Sequence, residues 1–322
     1  MPNLVTHYNL ARVFYAKKVE NGFLKGNFEC LALGTQGPDP LFYEGIVPTR
    51  ALRLRLASAK LGNQIHRSTG EKFISLLIDQ IEINESARND EYKAFVFGQF
   101  CHYVLDKVCH PYIYYFSGFD ENGKLTGKYH FSHAHFESEI DVAMALTNAL
   151  EDKIKAPEQL FPTEKYLFEA IENGMTKAVS TMFDRKLPAN YYKNAVLNMK
   201  SVVKLANNLN PFWAKIFGKT RLCSLRLPKK VSRSVLNENK ETWLDPVSGK
   251  ERNESFVELF DKAYDIVCKA YDDVCKNGLT METLKSYFDG LTYKGFEEGA
   301  KLQYWKNKKA CLLYTSDAAD EL

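Results

Sequence analysis

The chain has 322 residues, 45% hydrophobic and 26% charged, with a formal net charge of +3. This is globular composition, long enough for one large domain or two small ones, with no apolar run of about 18 residues to suggest a membrane span. Seven cysteines, odd in number and without a CxxC pair, read as reduced thiols rather than a disulfide framework. The start, Met-Pro-Asn-Leu-Val-Thr-His, lacks a basic and then apolar leader, so a cytoplasmic location is expected unless export takes another route.

Helical periodicity dominates. Apolar residues recur at three and four over 51–65 and 71–83, and 91–109 reads as one helix stopped by Pro111. The aromatic, β-branched run 112–116 is strand-like but too short to found a sheet. Further helices are expected at 133–154, 164–183, 191–208, 255–276 and 281–288, separated by short Gly/Pro-rich or polar pieces. No repeat or low-complexity tract interrupts them, so the expected fold is an all-α, multi-helix domain. Residues 311–322 read like translated sequencing adapter and are set aside, as a fusion scar would be.

Charge is unevenly spread. Residues 1–150 balance near zero, whereas 185–237 hold twelve Lys or Arg and no acidic residue. Such a stretch suits phosphate, an anionic membrane surface or nucleic acid, and equally a solvated helix face. Within it, Phe212-Trp-Ala-Lys-Ile-Phe-Gly-Lys219 has the composition of an interfacial segment, or of core packing.

All seven histidines fall in the first 135 positions. His102, Asp106 and His110 are spaced by four, which places them on one slowly drifting helical stripe. His133, Glu137 and Asp141 repeat that stripe on the next helix. Ile140 and Met144 continue the His133 side, which points His133 and Glu137 inward and leaves His130 and His135 towards solvent. Imidazole with carboxylate is ligand chemistry for zinc and related ions, and burying such groups is costly unless a dication compensates them. Three outlying residues extend the set: His7, after Thr6 as a candidate N-cap; Asp39, in a Gly/Pro-rich turn; and His66, at the end of an apolar helix. Cys101 and Cys109 flank the stripe, where buried apolar packing is the simpler reading.

The order His7, Gly-Pro-Asp39, His66, Phe97-Gly-x3-His102-x3-Asp106, His110-Pro, then His133-x3-Glu137-x3-Asp141 resembles the zinc-dependent phospholipase C family. Trp243-Leu-Asp-Pro-Val-Ser-Gly and the Ser255-Phe256 helix are similar to the later part of bacterial members. The resemblance implies an all-α domain over 1–310 holding up to three zinc ions. One would take Asp39, His66, His102 and Asp106, and a second His110, His133 and Glu137. A third would share Asp106 and use His7. Secreted members complete that third site with an N-terminal tryptophan, and this chain begins Met1-Pro2, so two ions are the expectation.

The implied activity is hydrolysis of phospholipid to diacylglycerol and a phosphorylated headgroup, since zinc lowers the pKa of bound water from 15.7 to about 7. Asp39 is implied to orient or deprotonate that water. Tyr103, Tyr112, Tyr114 and Tyr115 are candidates for a headgroup pocket, or for core. Two rivals remain. One is hydrolysis of other phosphoesters such as single-stranded nucleic acid, and the other is a non-catalytic, metal-stabilised lipid-binding protein. The chain contains no HExxH, GxGxxG, Walker or adjacent His-Asp motif.

Overall fold

Residues 90–117 form the helix about which the others are arranged. Asn89 caps it by accepting a hydrogen bond from the Tyr92 amide at 2.8 Å, and Asp90 and Glu91 complement the dipole of its first turn. The computed structural model describes residues 4–43, 61–83, 89–148, 154–210 and 225–306. Among these the helices are α1 (Leu4–Lys18), α2 (Phe28–Gly34), α3 (61–67), α4 (Gly70–Ile83) and α5 (Asp90–Ser117). They continue with α6 (Gly127–Thr147), α7 (Lys165–Phe183), α8 (Tyr191–Asn208), α9 (Phe256–Asn277) and the short α10 (Met281–Leu284). The described sheet is a two-residue antiparallel hairpin pairing Trp243 with Arg252 and Leu244 with Glu251. The fold is all-α, as the periodicity implies.

Helix α5 is apolar nearly all round, and α2, α4, α6 and α9 pack against it. One continuous core runs from Leu4 to Tyr293 and includes Phe14, Phe97, Phe100, Tyr112 and Trp243. Helix α2 reaches α5 so closely that backbone meets backbone. A Cβ on Gly98 would lie 2.5 Å from the Leu31 carbonyl oxygen, and one on Gly34 would lie 2.3 Å from that of Phe95. Only glycine allows this approach. It sets the turn after α2, which carries Asp39, directly over the His102 face.

Three expectations change. Pro111 does not end α5, which runs on to Ser117 and absorbs the strand-like run 112–116. An interior proline costs about 3 kcal/mol, but Tyr112, Ile113, Tyr114 and Tyr115 are all buried by continuing the helix. Helix α6 starts at Gly127 rather than 133. Asp120 gathers the preceding loop by accepting from the Asn122 and Lys124 amides and the Thr126 hydroxyl. The expected helix 281–288 shortens to Met281–Leu284 followed by a 3-10 turn, Lys285–Tyr287. Residues 51–60, the aromatic segment 212–219, the end of the expected helix 133–154 over 149–153, and 311–322 lie outside the described residues.

Candidate metal centre

Five elements bring histidine and carboxylate side chains to one place. Helix α1 supplies His7, the 3-10 turn Asp39–Phe42 supplies Asp39, and α3 supplies His66. Helix α5 supplies His102, Asp106 and His110, and α6 supplies His133 and Glu137. All eight are buried. Their donor atoms fall into three groups, each within 4.8 Å: His7, His102 and Asp106; Asp39, His66 and His102; and His110, His133 and Glu137.

Asp106 sits between the first two groups. Its Oδ1 is 3.3 Å from His7 Nε2, and its Oδ2 is 3.2 Å from His102 Nε2 and 3.9 Å from His66 Nε2. Asp39 Oδ1 is 3.2 Å from His66 Nε2, and the His7 and His102 rings stack at 4.1 Å. His102 offers Nε2 to both groups, and one ring nitrogen serves one ion. The third group stands further along α5, with Glu137 Oε1 2.8 Å from His133 Nε2.

In four of the five histidines of these groups the outward ring nitrogen is fixed from behind, His7 Nδ1 being without a partner. Nδ1 of His66, His102 and His110 donates to the carbonyls of Gly62, Thr35 and Tyr293, at 2.7, 3.0 and 2.7 Å. Ser117 spends its own proton on the Ile113 carbonyl, so its oxygen accepts from His133 Nδ1 at 3.1 Å. Each of these four rings therefore carries its proton on Nδ1 and turns a lone pair on Nε2 inward, the orientation that metal ligation requires. Gly37, at φ +58°, makes room for this: a Cβ there would stand 2.3 Å from the His102 ring.

Whether the residues suit bound zinc can be judged from their unsatisfied atoms. His7 Nε2, Asp39 Oδ1, His66 Nε2, His102 Nε2 and both Asp106 oxygens are buried without a hydrogen-bond partner, despite the short separations above. The groups converge on shared space instead of bonding to one another. Each such orphan costs about 1–3 kcal/mol, and a dication would satisfy several at once. Protonation states agree. Burial, then the neighbouring His102, lowers His7 to about 4. Burial also holds His110 and His133 well below the usual imidazole range. Burial alone would raise Asp106, but His102 and His110 outweigh it and keep the carboxylate ionised. Burial opposes charge on His102, yet Asp106 and Asp39 together outweigh it and raise the ring, so these carboxylates favour positive charge beside them. The donor set fits zinc.

Several expected residues go elsewhere. Asp141 leaves the cluster and turns to α1, accepting from the Val5 and Thr6 amides at 2.9 Å each and from the Thr6 hydroxyl at 2.6 Å. Thr6 thus lies within α1 and is not its N-cap. Burial raises Asp141 to about 7 in spite of these bonds. An amide at this position would turn one N–H towards a donor, so Asp141→Asn should cost roughly 2 kcal/mol in urea unfolding. Zinc content should fall with it as α1 and His7 loosen; unchanged stability would show that this staple carries nothing. Tyr103, Tyr112 and Tyr115 pack in the core, and of the four tyrosines Tyr114 alone lines the adjoining cavity. Cys101 and Cys109 are buried, with thiols raised by burial, and join none of the three groups. His130 and His135 are exposed, and His135 faces Glu139.

A cavity of about 850 Å³ opens beside Asp39, His66, His110, His133 and Glu137. Its lining also includes residues without a sequence signal: Arg67, and the turn carrying Thr292, Lys294 and Phe296. Only the folded chain reveals them, because neither spacing nor motif links position 294 to position 67.

An all-α fold with buried imidazole and carboxylate donors gathered in three adjacent groups is the architecture of a metal-binding helical protein. The model of the family described as zinc dependent phospholipase C matches residues 6–185, and the chain belongs to that family. No curated protein and no solved structure gives a match. The matched span contains all eight candidate ligands and ends before the Trp243–Leu244 hairpin and the 292–296 turn.

Proposed function

We propose that the protein is a zinc-dependent phosphodiester hydrolase that cleaves phospholipid in the manner of a phospholipase C. The observation that carries this reading is the set of buried, partnerless donor atoms on His7, Asp39, His66, His102 and Asp106, next to a cavity large enough for a headgroup. His7, Asp39, His66, His102 and Asp106 would hold ions on one side, and His110, His133 and Glu137 on the other. Bound zinc would supply Lewis-acid charge for the phosphodiester and acidify water at neutral pH.

The chain's own groups account for the rest. Asp39 both adjoins the ligand cluster and lines the cavity, so it is the carboxylate placed to orient the attacking water and accept its proton. Phe42, stacked on His66 at 5.2 Å, and Tyr114, 4.9 Å from His133, wall the centre with apolar surface and limit water around the reacting phosphate. The carbonyls behind the imidazoles hold the donors in place without reorganisation during reaction. No helix among the described residues is long and apolar enough to cross a membrane, so lipid would be reached from the interface.

The test pairs zinc quantitation with headgroup release from mixed micelles. About two zinc per chain and zinc-dependent release of phosphorylated headgroup are expected. Less than half an ion per chain after gentle purification, or metal-loaded protein inert on every phospholipid, would remove the reading.

A further inference from the structure

We propose that Arg67 and Lys294 form an anion subsite beside the zinc ligands, selecting phosphodiesters whose headgroup carries a second negative charge. The inference rests on the phospholipase reading and names its substrate class. Both side chains line the same cavity as His66, His110 and His133. Each is one residue from a group that fixes the centre: Arg67 follows His66 on α3, and Lys294 follows Tyr293, whose carbonyl receives His110 Nδ1. Their reach from the reacting phosphate is therefore set by the backbone that sets the ligands.

Neither cation has an ion pair among the described residues, where some of the cavity's other charges do. Glu298, on the same rim, is taken by Lys72 at 2.9 Å. Asp39 and Glu137 face His66 and His133. Lys294 is half-buried and Arg67 exposed, and both side chains line this one cavity. Two cations lining one space favour an anion held between them. The scissile phosphate would have bound zinc to balance its own charge, which leaves these two cations for a different anion.

The loop bearing Lys294 is built to stay in place. Thr292 donates to the Phe296 carbonyl through both its amide and its hydroxyl, at 2.9 and 2.8 Å. The Leu291 carbonyl accepts from Tyr103 at 3.1 Å. Gly295, at φ +75°, lies so near α5 that a Cβ would come within 2.3 Å of the Lys107 carbonyl oxygen. A quaternary ammonium finds poorer terms here: Tyr114 already packs on His133 and Phe296, and the two cations repel it.

The experiment uses zinc-loaded full-length protein and two readouts. Calorimetry compares 3-phosphoglycerate, glycerol 3-phosphate and phosphocholine, while headgroup release compares micelles of phosphatidylserine and phosphatidylcholine. The carboxylate of 3-phosphoglycerate should tighten binding about tenfold over glycerol 3-phosphate, with phosphocholine weakest. Lys294→Glu should invert that order, and Arg67→Gln should reduce the preference. Arg67→Gln decides the matter if Lys294→Glu loses zinc. Phosphocholine binding as tightly as 3-phosphoglycerate, no measurable binding of any ligand, or variants that weaken all three equally would overturn the proposal. Cleavage with a preference for phosphatidylcholine would sink the subsite and keep the phospholipase reading. The expected binding order without lipid cleavage would keep the subsite and sink that reading.

Discussion

Replacing Asp106 by alanine is expected to lower phospholipid hydrolysis by on the order of 10³-fold or more, and to strip zinc from the protein. The size follows from position. Asp106 is fully buried and is the one carboxylate that faces His7, His66 and His102 together. Its loss leaves three imidazoles directed at a common space with Asp39, of the described carboxylates in these groups, left to balance bound dications. Headgroup release and metal analysis on the same preparation read both effects. His135→Ala, at an exposed ring on α6 outside the three donor groups and the cavity lining, is expected to change the rate by no more than about twofold. Equal losses in the two variants would mean that the centre is assigned to the wrong residues.

Chelation should leave a protein that is less stable at neutral pH and markedly acid-labile. Three buried imidazoles have folded-state pKa values below the ordinary 6.5: His7 at about 4, with His110 and His133 well below that range. As pH falls from 6.5 towards 4, the unfolded chain takes up protons that the native imidazoles refuse. Stability present above pH 6.5 is therefore lost on acidification. His7 alone should account for roughly 2–3 kcal/mol by pH 4.5. The raised His102 and the raised Asp141, at about 7, act in the opposite sense, and Asp141 offsets a loss of about the size His7 gives, so the net acid loss rests on His110 and His133. The depressed Asp106 contributes below this window, where a carboxylate ordinarily titrates. Urea unfolding of chelated protein at pH 7 and 4.5 measures the difference. Stability that stays flat or rises on acidification would show that these rings are not held neutral. Zinc-loaded protein should be the more stable at pH 7, because binding to the native state adds its free energy to folding.

The ligand stripes on α5 and α6 were legible because helical residues four apart share a face, so His102, Asp106 and His110 announce one surface wherever the helix packs. Helix type was legible for the same reason at 71–83, 164–183 and 191–208. Asp141 shows where that logic stops. Its spacing continues the His133 stripe, but the stripe drifts around the helix, and one turn beyond Glu137 the side chain meets α1 instead of the cavity. Pro111 shows the same limit in backbone terms. The local penalty for an interior proline is fixed, while the burial gained by continuing α5 depends on neighbours supplied from 235–256, including Val235, Trp243 and Phe256.

Sequence by itself determined the helical class, the inventory of donors and the family order from His7 to Glu137, because periodicity and residue chemistry are local properties. Tertiary structure decided which donors share one space, which carbonyl fixes each imidazole, and that Arg67 and Lys294 border the same cavity. Those relations depend on contacts between residues as far apart as 67 and 294, and on close approaches such as Gly34 against Gly98. Packing sets them, and no local pattern encodes them.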